Sequence, residues 1–116
     1  MDRRKIGQLA ENMAVETLLK KGYQILKRNF ANRFGEIDII AKDKDVFVFV
    51  EVKSKMGVEF GLPEEMINQA KLQKVKNMAT IYMKGQNLPC RIDVIAICLS
   101  EEGHLVRLTH YENVYY

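Results

Sequence analysis

The chain has 116 residues, 47% of them hydrophobic and 28% charged, with a formal net charge of +3; this is the profile of one globular domain with a single ordinary core. No apolar run approaches the ~20 residues of a membrane span, and the opening MDRRKIGQLAENMA lacks the apolar stretch and cleavage site of a secretory signal. Cys90 and Cys98, with no CxxC pair, exclude a disulfide framework, so a cytoplasmic protein with reduced thiols is expected, and His104 and His110 are not spaced as zinc ligands.

The net charge conceals blocks. Residues 1–34 carry eight Lys/Arg against three Asp/Glu, a balance of +5. Residues 35–70 carry four against eight, a balance of −4, and residues 71–116 six against four, a balance of +2. An acidic centre between basic flanks suits a metal-dependent enzyme acting on a polyanion, with anions for the ion and cations for phosphates.

In chain order, the apolar spacing predicts a helix from about Arg4 to Lys21, closed by Gly22 in the position after a helix end that favours glycine. Its apolar arc takes in Ile6, Leu9, Ala10, Met13, Ala14, Val15, Leu18 and Leu19. Glu16 falls in the polar gap, whereas Glu11 falls inside the arc, between Leu18 and Val15. A carboxylate there is costly unless it meets a cation, a metal or donors; a reaching Arg3 or Lys21 is one partner, a metal another. Tyr23 to Phe30 reads as a strand, and a polar turn follows over residues 31–34. Arg28, Asn29 and Arg33 cluster at this point; arginine forks suit phosphate, although surface arginines near a turn are commonly just solvated.

Gly35 to Lys53, GEIDIIAKDKDVFVFVEVK, reads as a β-hairpin with its turn in the polar run Lys42–Asp45. Alternation along a strand puts Glu36, Asp38 and Ile40 on one face, with Ile37, Ile39 and Ala41 on the other. In the second strand Phe47, Phe49, Glu51 and Lys53 share a face, opposite Val46, Val48, Val50 and Val52. A turn at Asp43–Lys44 sets Asp38 opposite Phe49; a turn at Lys44–Asp45 sets it opposite Glu51. Both place Asp38 on the Glu51/Lys53 face. Carboxylates gathered like this repel unless a cation lies between them. Mg²⁺ is typically held by one or two carboxylates with waters and phosphate oxygens. The competing reading is a cross-strand ion pair on a solvated sheet face.

A loop is expected over Ser54–Leu62, with Gly57 and Gly61. Pro63 then opens a second helix to about Lys84, Glu64 and Glu65 lying at its positive end. Lys71 lies in the middle of that helix's apolar arc, near Met78 and Tyr82. Either it snorkels to water or it stands over the acidic face of the hairpin. Cys90–Leu99 reads as a fourth strand, in which Arg91 and Asp93 share a face and can pair. His104–Thr109 reads as a fifth. The tail YENVYY packs either on the domain or against a second copy, which leaves a homodimer open. The order α-β-β-β-α-β-β predicts an α/β domain over residues 1–116: a mixed central sheet flanked by helices.

Several motifs fall in order along the chain: Gly7-x3-Glu11-x2-Ala14, Gly22-Tyr23-x-Ile25-Leu26-x-Arg28-Asn29, Gly35-Glu36-Ile37-Asp38-x-Ile40-Ala41, Phe49-Val50-Glu51-Val52-Lys53, Phe60-Gly61-x-Pro63 and Arg91-x-Asp93-Val94. Together they resemble the bacterial YraN-type family of predicted endonucleases, within the restriction-endonuclease-like superfamily and distantly related to archaeal Holliday-junction resolvases. The resemblance runs from about Gly7 to Ile97. It implies a restriction-endonuclease-like fold with an αβββαβ core and Mg²⁺- or Mn²⁺-dependent hydrolysis of DNA, rather than RNA, of branched or structured form. It also implies that Asp38, Glu51 and Glu11 hold the metal, that Lys53 acts on the attacking water, and that Lys71 faces the site. Arg28, Asn29, Arg33 and Lys55 are the candidate nucleic-acid contacts. Glu36 takes no assigned role. Ser54 and Lys55 follow Lys53 where many relatives carry Thr and Arg. A module that binds nucleic acid or acts as a scaffold without turnover is the alternative.

Overall fold

The computed structural model describes residues 2–57 and 63–114. Its elements are α1 (Arg3–Lys20), β1 (Gln24–Asn32), β2 (Gly35–Asp43), β3 (Val46–Met56), a 3₁₀ turn (Pro63–Met66), α2 (Gln69–Tyr82), β4 (Cys90–Leu99) and β5 (Leu105–Tyr111). The strands form one mixed sheet in sequence order, β1 to β5. All neighbours are antiparallel except β3 and β4, which run parallel, with α2 in the crossover between them.

Each helix covers one face. Ala10, Ala14 and Leu18 of α1 bury against Ile39, Val48, Val50, Ile95 and Ile97. Leu72, Val75 and Met78 of α2 bury against Ile37, Ile40, Phe49 and Val94. The β3 alternation read from sequence holds: Val48, Val50 and Val52 face α1, Phe47 and Phe49 face α2. Burial of each such side chain is worth about 1.5–3 kcal/mol, and none of the described helices is long and apolar enough to cross a membrane.

Local chemistry sets the element ends. Asp2 caps α1, accepting the Lys5 N–H at 2.9 Å. The second helix starts later than its apolar period suggests. Asn68, extended at φ −148°, caps α2 by accepting the Lys71 N–H at 3.0 Å, which leaves Pro63–Met66 as a separate 3₁₀ turn. Glu64 is therefore not a charge at the α2 terminus. It takes a forked pair from Arg107 at 2.8 and 2.9 Å and the Tyr111 hydroxyl at 2.6 Å, tying the 3₁₀ turn to β5. Arg107 holds the Glu64 carboxyl down at about 2.

Two further expectations change. Residues 54–56 are not loop but continue β3 against β4 (Ser54 opposite Ile97, Met56 opposite Leu99); the expected loop beyond Gly57, including Phe60 and Gly61, lies outside the described residues. Leu19, placed in the apolar arc, is 54% exposed while its neighbour Leu18 is fully buried, so the edge of the buried arc falls between them. The tail packs on its own domain as far as Val114, whose N–H donates to the Ile92 carbonyl at 2.8 Å.

Candidate functional site

The β2–β3 hairpin turns at Lys44–Asp45, since Asp43 pairs with Val46, and Lys44 takes the left-handed conformation (φ 56°) that so tight a turn needs. This register sets Asp38 opposite Glu51. The ladder itself ends at Ile39 opposite Val50. From there β3 stays with β4 and β2 stays with β1, so the sheet forks. At the root of the fork the Val52 N–H, no longer paired with β2 backbone, donates to Asp38 Oδ2 at 2.8 Å.

The fork corrects the expected faces of β2. Ile37 packs with Ile40 in the α2 core, not with Ile39, which faces α1. Strict alternation breaks at Asp38. On the neighbouring strand, Asn29 between Arg28 and Phe30 adopts a left-handed φ of 52°. Asp38 consequently lines a cleft on the α1 side, of about 310 Å³, with Gly7, Glu11, Asn29, Val52 and Ser54. Burial, then the charge of Glu51, pushes the Asp38 carboxyl up to about 7; Glu11 adds to the rise, while the Val52 N–H and Lys53 oppose it.

Glu51 and Lys53 follow β3 on the other side of the fork as an ion pair of 3.1 Å, with side chains 16% and 18% exposed. Lys71 reaches them from α2. The positive charge of Lys53, then burial, holds its ammonium group below the usual lysine range, with Glu51 acting the other way. The amine thus stands beside the Glu51–Lys53 ion pair.

Glu11 finds its partners on β1, not in Arg3 or Lys21. Arg28 Nε and Asn29 Nδ2 both donate to its Oε1, at 3.0 and 3.1 Å, while Arg28 Nη2 donates to Asn12 Oδ1 at 2.7 Å. Two of the candidate nucleic-acid contacts are thus engaged in holding a candidate metal ligand. The other two sit apart. Lys55 lines a neighbouring cleft of about 630 Å³ with Arg3, adjoining the first across Gly7 and Ser54. Arg33 lies on the β1–β2 turn with its guanidinium 4.9 Å from the centre of the Phe34 ring. Glu36 is exposed at the rim of the first cleft.

Among the described residues, only Asp93, His110 and Glu112 bring three such ligand atoms within 4.8 Å of one another; Glu11, Asp38 and Glu51 are spread more widely. Sequence reasoning dismissed His110 and left Glu112 in an unassigned tail, because their partners lie far along the chain. Fully buried Asp93 accepts from Arg91 Nε (3.0 Å), His110 Nε2 (2.8 Å) and the Asn113 N–H (3.0 Å). The Lys21 ammonium, a donor only, meets His110 Nδ1 at 2.8 Å. The Tyr23 hydroxyl donates to Glu112 at 2.9 Å. His110 therefore carries its proton on Nε2, every ligand atom already has a hydrogen-bond partner, and two cations stand alongside. These bonds strap the C-terminal segment to the end of α1 and to β4.

A mixed α/β sheet that forks beside a cleft lined by Glu11 and Asp38, with the Glu51–Lys53 ion pair across the fork, defines the class of domain. The particular family follows from comparison with known proteins. Residues 10–97 match uncharacterised protein family UPF0102. A UPF0102 protein of Thermodesulfovibrio yellowstonii is 42% identical over 118 residues, covering all of both chains. One of Pelotomaculum thermopropionicum is 40% identical, covering 97% of each, and one of Dictyoglomus turgidum is 37% identical, covering 99% of this chain and 100% of its own. The chain belongs to the UPF0102 family.

Proposed function

We propose that this protein is a Mg²⁺- or Mn²⁺-dependent endodeoxyribonuclease of restriction-endonuclease-like type, hydrolysing phosphodiester bonds in branched or otherwise structured DNA. The observation that carries the reading is the position of Asp38, which shares a cleft with Glu11 where β2 and β3 part and has the Glu51–Lys53 ion pair across the fork. The Asp38 carboxyl is pushed up to about 7 by burial beside Glu51 and Glu11, at the point where the sheet opens. A cluster so strained suits a hard divalent cation, which would relieve the repulsion and accept oxygen donors of this kind. Asp38 and Glu51 would hold it, with Glu11 completing the set from α1. The bound ion supplies a more acidic water and offsets charge on phosphoryl oxygens.

The chain's own cations do the rest. Lys53, paired with Glu51 at 3.1 Å, would orient the attacking water and balance charge on the phosphate as the new P–O bond forms and the ester P–O bond breaks. Lys71 adds positive charge from the opposite wall, and Arg3 and Lys55 in the adjoining cleft suit the flanking phosphates.

The test is cleavage of labelled four-way-junction, flap, single-stranded and duplex DNA in Mn²⁺, Mg²⁺ or EDTA, beside an Asp38→Ala control purified identically. Metal-dependent cutting that the control lacks is expected. A folded protein that cuts none of them contradicts the reading and leaves a binding or scaffold role.

A further inference from the structure

Phe34 is the most exposed aromatic residue among those described, at 61%. A lone exposed apolar side chain is ordinary; the mounting of this one is not. Arg33 and Phe34 are the two residues of the turn between paired Asn32 and Gly35. The Phe34 N–H donates to Asn32 Oδ1 at 2.8 Å, a side-chain turn that stiffens the tip. Gly35 leaves it at φ 155°. The Arg33 guanidinium covers one side of the ring at 4.9 Å, a cation–π contact. Phe34 stands at the tip of the turn that opens β2, four residues before Asp38 and so at most ~13 Å from it at about 3.3 Å per residue.

We infer that Phe34 is a stacking wedge for a nucleobase, receiving an unpaired or frayed base a few nucleotides from the phosphate at Asp38. Aromatic side chains bind bases through ring faces without regard to sequence, and apolar wedges work by parting a base step. Arg33 both stiffens the ring and offers a charge to the adjoining phosphate. The inference rests on the nuclease reading and adds a substrate preference: DNA whose bases are already unstacked near the cut, at a flap or branch point, is favoured over continuous duplex because no stacking has to be broken.

The experiment is fluorescence-anisotropy binding in EDTA, to a flap DNA and a matched continuous duplex. It uses wild type, Phe34→Ala, Phe34→Trp and, as an equally exposed apolar control, Val106→Ala. The wedge predicts that Phe34→Ala weakens flap binding by about tenfold with little change on duplex. Phe34→Trp should restore flap binding, and Val106→Ala should behave as wild type. Equal flap affinity for wild type and Phe34→Ala, or equal losses on both DNAs, overturns it. Wild type that binds neither DNA overturns the wedge and the DNA reading together. Binding with the predicted Phe34 pattern but no cleavage in Mn²⁺ supports the wedge and overturns hydrolysis alone.

Discussion

Val52 and Asp38 lie on strands that have ceased to pair, and one hydrogen bond of 2.8 Å, backbone N–H to carboxylate Oδ2, still joins them. Asparagine preserves that acceptor and removes the charge. Asp38→Asn is therefore expected to raise metal-free stability by about 1–2 kcal/mol, since each pKa unit corresponds to about 1.4 kcal/mol and the full rise exceeds what a site open to water retains. The melting temperature should rise by roughly 4 °C or more, with cleavage lost. Calorimetry in EDTA checks the first part; a lower melting temperature would show that the carboxylate is not under strain.

Lys53→Ala should reduce cleavage by about 10²- to 10³-fold, the usual cost of removing a group that stabilises charge in the transition state. DNA affinity should stay the same or tighten. Single-turnover rates beside binding isotherms separate the two effects, and retained turnover would remove Lys53 from the mechanism.

Arg28 donates to Glu11 and Asn12, which makes it a positioning residue. Arg28→Ala should weaken divalent-metal affinity by about tenfold, as loss of a ligand's supporting partner does. The salt dependence of DNA binding should not move. A phosphate contact would instead shallow the salt slope by about one unit, so the slope decides between the two roles.

The Glu64 carboxyl, held at about 2 by Arg107 against an ordinary 4.5, favours the folded state while ionised. Its contribution is complete above about pH 4.5 and disappears as pH falls towards 2. Asp38, raised, acts oppositely: metal-free stability should fall as pH climbs from about 4 through 7. Glu64→Gln should lower the melting temperature by a few degrees at neutral pH, and the gap to wild type should close below about pH 3. Thermal melts across that range check it; a gap independent of pH would contradict the ion pair.

Much of the fold was legible because its signals are local. The capped first helix, the polar turn before Val46 and the β-branched run of Cys90–Leu99 each announce themselves within a few residues. The hairpin alone brings Asp38 to the same level of the sheet as Glu51, but the shared face expected for Asp38, Glu51 and Lys53 does not form: Asp38 turns to the α1 side and the Glu51–Lys53 pair stays on the other. What escaped depends on tertiary context. The face switch at Asp38 accompanies a left-handed Asn29 on another strand, which period-2 counting along β2 cannot register. The partners of Glu11 come from β1, and its helix suggested Arg3 or Lys21 only because those are near in sequence. The Asp93–His110–Lys21 strap joins residues up to 89 apart, and no spacing rule links them.

The most direct measurement is a calorimetric titration of the metal-free protein with Mn²⁺ and Mg²⁺, beside Asp38→Asn, Glu51→Gln, and Glu112→Gln from the strap. Wild type and Glu112→Gln should bind the ion, and Asp38→Asn and Glu51→Gln should lose it severely. Unchanged affinity in Asp38→Asn, or binding abolished by Glu112→Gln instead, would contradict the proposed metal site.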